Sequence, residues 1–299
     1  MDWRKAWHQH LEKMSDFWVD QNFDRYQVMD ETEKKAMIRK KNMMKARKAE
    51  VVKAKVVGTI TGFERLGHRR YVNYLTHWSF LIKQKDFYYI EEQLTRRKAL
   101  FEGAHLVEEI AVDKENEHHN QVELTPISIT ETRNKGKGFF YDRLSAVKYA
   151  DRWWNQGNPE FQMFDVDCTN YVSQCLNAGG APMHGQYNQH AGWWYSGKNW
   201  SFSWAVAHSF RWYLTGRQNR LQAVTVDAPE KLMPGDVICY DFEGDGRWDH
   251  STFVTEKDGN HMPLVNAHTT DSRHRYWSYE DSTAWTPNIQ YKFFHIDAD

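Results

Sequence analysis

At 299 residues with a formal net charge of −1, the chain is long enough for one large or two ordinary domains and carries no global charge that would draw it to nucleic acid or an anionic membrane. Its three cysteines, Cys168, Cys175 and Cys239, are too few and too odd in number for a disulfide framework, so reduced thiols are expected. No apolar stretch of signal-peptide length precedes residue 30 and no run is long enough to span a bilayer, so the expectation is a cytoplasmic protein without membrane insertion.

Trp3, Trp7, Leu11, Met14 and Trp18 recur at helical spacing and predict an amphipathic first helix with an aromatic core-facing stripe. A second, more polar helix is expected over 31–49, capped by Asp30. From Arg39 to Lys55 there are eight Lys and Arg residues against one acid, Glu50, which reads as a solvated helix face followed by strand ends. The period then changes to that of strands over 51–63, 70–83, 87–97 and 100–112, most clearly in the alternation Val72, Tyr74, Trp78, Phe80, Ile82.

Helices followed by a four-strand meander predict an α+β unit over 1–113, with helices covering one face of a curved antiparallel sheet. Residues 114–137 turn polar and glycine-containing and read as a linker, within which His118-His119 is an incidental histidine pair. The second unit, 138–299, opens with a helix over 141–154, followed by a helix at Cys168 and one near 203–214. Strands are expected at 237–240 after the Pro234-Gly235 turn, and at 250–256, 263–268 and 289–295.

The chemistry concentrates in Asp167-Cys168-Thr169-Asn170-Tyr171-Val172-Ser173-Gln174-Cys175 and, starting 82 residues beyond Asp167, in Asp249-His250-Ser251-Thr252-Phe253-Val254. With Asp167 as N-cap, Cys168 falls in the first turn of a helix, where free N–H groups and the dipole favour a thiolate. His250 stands at the mouth of an apolar strand, where its imidazole could take the thiol proton. Cys175 and Cys239 read as core. Asn266 and His268 alternate onto one face of their strand, so either could orient His250, with Asp271 a third candidate. A side chain such as Asn155 or Gln162 could complete an oxyanion hole with the Cys168 N–H. Acids as close as Asp165 and Asp167 would raise a thiol pKa unless capping holds their charge away from sulfur.

Asp241, Glu243, Asp245 and Asp249 alternate through a glycine-containing loop as calcium ligands do, but Thr252 stands where a bidentate Glu is needed. A glycine-rich hairpin is the expectation and a calcium loop the alternative. No cofactor is expected. Ten of the 14 tryptophans lie from Trp153 onward, mostly as core and loop anchors.

Tyr141-Asp142-Arg143, the Asp167–Leu176 segment, Gly179-Gly180, Pro234-Gly235-Asp236-Val237, Trp248-Asp249-His250 and His268-Thr269 together resemble, in order, the putative amidase domain of Gram-positive bacteria, related to the NlpC/P60 and CHAP peptidoglycan hydrolases. The resemblance covers about residues 138–297 and leaves the N-terminal unit outside it. It implies a papain-like fold, Cys168 as nucleophile, His250 as base and His268 as its orienting partner, by likeness to the Cys-His-His arrangement of NlpC/P60 proteins; papain-like proteases use Asn instead, which keeps Asn266 open. It also implies amide hydrolysis in peptide or muropeptide substrates and association with the cell wall. Two alternatives stand beside it: a vestigial domain that binds wall or partner without catalysis, and a metal-dependent amidase using His250, His268 and Asp249 or Asp271. The second lacks any HxxEH-type spacing.

Overall fold

A computed structural model describes residues 2–19, 30–112, 139–216 and 220–297. Helix α1 (Trp3–Val19) buries Trp3, Trp7, Leu11, Met14 and Phe17. Phe17 thus closes the stripe expected to end at Trp18, whose ring instead meets Phe80 edge-on at 5.1 Å. Helix α2 (Glu31–Ala46) starts where expected, because the Asp30 carboxylate accepts the Thr32 and Glu33 N–H groups at 2.8 and 3.2 Å.

Four antiparallel strands follow: β1 (Ala49–Leu66), β2 (Arg69–Gln84), β3 (Phe87–Glu102) and β4 (His105–Ala111). Strand β3 runs five residues past the expected end at Arg97, to Glu102, and the turn falls at the Glu102-Gly103 pair that punctuates the sequence, where Gly103 takes a φ of +62°. Helix α1 rests on β1 where Gly58 makes room, since a Cβ there would come within 2.5 Å of the Trp7 ring.

The C-terminal half places helices before sheet, as the sequence suggests. Helices α3 (Arg143–Trp153) and α4 (Cys168–Ala178) lead, and a small hairpin, β5 (Tyr195–Ser196) and β6 (Asn199–Trp200), precedes α5 (Phe202–Ala205) and α6 (Ala207–Thr215). Strands β7 (Ala223–Val226), β8 (Val237–Asp241), β9 (His250–Lys257), β10 (Pro263–Ala267), β11 (Ser272–Tyr276) and β12 (Gln290–Ile296) complete it. This sheet is buried on both faces. Val237, Cys239 and Phe253 pack with α4, Trp204 and Phe210, while Ile238, Tyr240 and Val254 pack with Phe242, Tyr279 and Phe293 on the other side. The fold class is α+β with a mostly antiparallel sheet.

One sheet runs through both halves in the order β1-β2-β3-β11-β10-β9-β8-β12-β7, with β4 beside β3. The junction is β3 against β11, with Gln93 opposite Ser272 and Glu92 opposite Arg273. Strand β11 has no counterpart in the sequence reading, because Ser272-Arg273-His274-Arg275-Tyr276 shows no apolar alternation. The expected linker 114–137, with His118-His119, lies outside the described residues.

The basic run is not simply a solvated face. Lys40 is buried and pairs with Glu91 and with Asp281, and Arg47 is buried against Asp258 at 2.9 Å. Arg39 donates to the backbone oxygens of Glu280 and Ser282. These cations tie α2 to the C-terminal half, and Arg273, bonded to Glu92 and Asp151 at 3.0 Å each, does the same at the sheet junction. Among the described residues no helix is long and apolar enough to cross a membrane.

Candidate active site

Helix α4 is buried on every side from Cys168 to Leu176, which explains why its polar residues are so fully matched. Asn170 donates to the Asp167 carboxylate and the Gln162 carbonyl and accepts the Trp204 indole N–H, at 2.8, 2.9 and 2.8 Å. Ser173 links Trp193 to the Trp204 carbonyl, and Gln174 takes the Tyr149 hydroxyl. Most of the motif therefore builds the seat of the helix. Cys168 is its first residue.

Asp167 occupies the N-cap position, but its carboxylate makes no capping bond to the helix. It accepts instead from the Phe164 N–H at 2.9 Å, from Asn170 and from His268 Nδ1 at 2.7 Å. The charge that would oppose a thiolate is thus spread over three donors.

The position of the thiol follows from strand register. Val254 donates to Asp236 on the β8 side, so in an antiparallel ladder Ser251 directs its N–H the other way, toward β10. The β9–β10 register ends at Phe253 opposite Asn266, two residues short of Ser251. The released Ser251 N–H bears on Cys168 and acts to lower its thiol pKa. Burial pushes the Cys168 thiol pKa up; the Ser251 N–H, the Thr169 hydroxyl 3.7 Å away and the Thr169 N–H counter it, and Asp167 adds to the rise. Cys175 is raised well above its ordinary value and Cys239 is pushed up to about 12, both chiefly by burial. Of the three buried thiols, Cys168 is the one at a helix N-terminus.

His250 is joined to that Ser251 peptide. Its ring lies among Tyr240, Phe242 and Tyr279, with centroids 5.6, 6.1 and 5.1 Å away, and its Nε2 stands 3.2 Å from the Tyr279 hydroxyl.

His268 and Asn266 are engaged elsewhere. The His268 ring stacks on Tyr171 at 4.2 Å and bonds Asp167 through Nδ1 and the Trp153 carbonyl through Nε2, both at 2.7 Å. Both partners are acceptors, so the ring satisfies both as the imidazolium. Burial lowers the His268 pKa, but the Asp167 hydrogen bond and the charges of Asp271 and Asp167 outweigh it, and the net shift is upward. Asn266 accepts from Thr255 and the His274 N–H and donates to Asp151. The place at His250 Nε2 expected for His268 or Asn266 is held by Tyr279, while Asn266 and His268 both turn to the side of α3 and α4. Asp271 bears on His268 through its charge, and its carbonyl accepts the Leu94 N–H of β3.

Asn155 and Gln162, the oxyanion candidates, have exposed side chains. The groups that bear on the sulfur are the Thr169 hydroxyl and the N–H groups of Thr169 and Ser251, and the Ser251 contribution is one that sequence does not reveal.

Asp241, Glu243 and Asp249 bring one carboxylate oxygen each within 4.8 Å of one another, while Asp245 lies outside that group and accepts the Arg247 N–H. The Asp241 carboxylate takes the N–H groups of Gly244, Asp245 and Gly246, and Asp249 takes that of Phe242, as a tight glycine hairpin requires. Burial and the neighbouring charges of Glu243 and Asp241 raise the Asp249 carboxyl to about 7, against the opposing Phe242 N–H.

A Bacillus subtilis (strain 168) protein, Uncharacterized protein YhbB, is 46% identical over 276 residues, 89% of this chain and 87% of the relative. A second from the same organism, Uncharacterized protein YjcM, is 28% identical over 160 residues, 51% of this chain and 36% of its own length. No solved structure matches. Residues 140–294, which hold α4, β9 and the turn after β10, match the putative amidase domain, and the chain belongs to that family.

Proposed function

We propose that the protein is a cysteine-dependent amide hydrolase. The observation that carries this reading is the Cys168 sulfur at the start of α4, facing the N–H groups of Thr169 and of Ser251, the residue that follows His250 in β9. In the resting site the raised thiol pKa keeps sulfur protonated, so the reaction starts from a neutral thiol and imidazole. As Cys168 attacks the amide carbonyl, its proton passes to His250. The imidazolium then returns that proton to the leaving amine, and a thioester remains on Cys168. Water, activated by His250, adds to the thioester and releases the acid. The two N–H groups stabilise negative charge on sulfur as it departs.

The substrate class we propose is a cell-wall peptide, supported by the resemblance of the motifs to those of peptidoglycan hydrolases. Mass spectrometry of defined muropeptides, incubated with the wild type and with Cys168→Ala, tests both parts. Wild type is expected to release an amine and an acid from one amide, with Cys168→Ala inert, iodoacetamide abolishing turnover and a chelator leaving it intact. Turnover by Cys168→Ala would end the thiol reading, and unchanged masses with every muropeptide alongside cleavage of other peptide amides would end the cell-wall one.

A further inference from the structure

The third member of the site is not where motif spacing points. His268 is fixed between Asp167 and the Trp153 carbonyl, and Asn266 between Thr255, Asp151 and the His274 N–H. What meets His250 Nε2 is a phenol hydroxyl 3.2 Å away, on a residue with no solvent exposure.

We propose that Tyr279 is the positioning residue of this site, holding His250 with Nε2 protonated so that Nδ1 is the nitrogen that exchanges a proton with Cys168. The inference rests on the thiol-hydrolase reading. Three observations carry it besides the hydrogen bond.

Tyr279 adopts a φ of +56°, a conformation that costs a bulky L-residue about 1–2 kcal/mol and that a glycine would take freely. The turn is held on both sides, by the Tyr279 N–H to Tyr276 and the Ser282 N–H to Tyr279, at 3.4 and 2.9 Å. Backbone strain retained at a fully buried side chain marks a place where the side chain's direction matters.

The ring is also clamped. Tyr240 lies 4.9 Å from it, and the Arg275 guanidinium sits 3.9 Å over its centre, itself bonded to Asp281 at 2.9 Å. A phenol fixed in this way can present its oxygen at one point without the entropy loss of ordering it during reaction.

Chemistry distinguishes this partner from a carboxylate. A phenol oxygen accepts the Nε2–H of neutral imidazole and of imidazolium alike, and it adds no negative charge that would hold the proton on the ring. The Tyr279 ring is buried with Tyr240 and Phe242, and the charge recorded over it is the Arg275 guanidinium. The histidine is thereby directed without a carboxylate that raises its pKa, as Asp167 does for His268.

The test is Tyr279→Phe, which keeps the ring, the clamp and the backbone and removes one hydroxyl. Nitrogen NMR of His250 in the full chain reads the tautomer and the titration without needing a substrate. Wild type should show the Nε2–H tautomer, and Tyr279→Phe should lose that preference and titrate at lower pH. With a cleaved substrate in hand, kcat should fall roughly 10- to 100-fold with KM unchanged, and the acidic limb of the pH profile should move to lower pH. The same tautomer and titration in both proteins would overturn the assignment. An inert wild type that nonetheless shows the tautomer shift would instead count against the hydrolase reading, so the two failures are separable.

Discussion

Asp167 Oδ2 and His268 Nδ1 stand 2.7 Å apart inside the protein, one residue before the candidate nucleophile, and each is at most 6% exposed in its side chain. A buried pair of this kind is costly to break from one side, because the remaining charge has no solvent to turn to.

The first prediction follows from that pair. His268→Gln should lower stability by about 3 kcal/mol, since Asp167 would be left ionised with only the Phe164 and Asn170 donors. The folded His268 pKa is raised above its unfolded value of about 6.5. Its contribution is therefore complete below about pH 6.5 and is lost as pH rises through the folded pKa. Urea denaturation from pH 6 to 10 should show a falling limb in the wild type that is absent in the variant; parallel curves would contradict the imidazolium assignment.

A second prediction concerns the thiols. Iodoacetamide should label Cys168 first, because the Thr169 and Ser251 N–H groups act on its sulfur while burial holds Cys239 up to about 12 and Cys175 higher than usual. The rate should be slower than for a free thiol and should climb with pH. Peptide mapping that finds all three labelled equally in the folded protein would count against the site.

The third prediction lies in the hairpin before β9. Asp249 carries a folded pKa of about 7 against an unfolded value near 3.9, so the folded state binds more protons between them. Ionising it costs stability as pH rises from about 4 through 7. Asp249→Asn, whose amide oxygen can still accept the Phe242 N–H, should be more stable at pH 8 by about 1 kcal/mol after allowing for its partial exposure, and nearly neutral at pH 4. Thermal melts at the two pH values read the difference, and equal shifts at both would refute it.

A fourth prediction joins the two halves of the chain. Lys40→Met should destabilise by about 3–5 kcal/mol, because Glu91 and Asp281 would remain buried without their shared cation. Denaturant midpoints measure this. A loss below about 1 kcal/mol would mean that the pair is solvated as the basic composition of residues 39–55 first suggests.

Sequence made legible what depends on local pattern: the stripe of α1, the Asp30 cap, the alternation of β2, the helix at Cys168 and the strand at His250. It missed what depends on distant partners. Strand β11 is too polar to announce itself, yet Arg275 is buried because Asp281 meets it and Arg273 pairs because β3 brings Glu92. Lys40 and Arg47 read as solvated for the same reason. At the site, spacing put Asn266 and His268 on one strand face, and both do face α3 and α4 through Asp151, Trp153 and Asp167. Their partners at the far end of those bonds, and the Tyr279 turn, are products of the tertiary fold.

The β3–β11 pairing has one more consequence. A strand with open N–H and C=O groups along its side recruits other chains, and natural sheets cover such borders or charge them. In this molecule the long meander of the N-terminal half closes the border that β11 would otherwise present, leaving β1 and β7 as the outer strands of the main path. Removing residues before 138 would uncap β11 a few residues from the turn that holds Tyr279. Loss of the N-terminal half would leave that border open to pairing with other copies, so solubility, before any activity, is what such a truncation is expected to change.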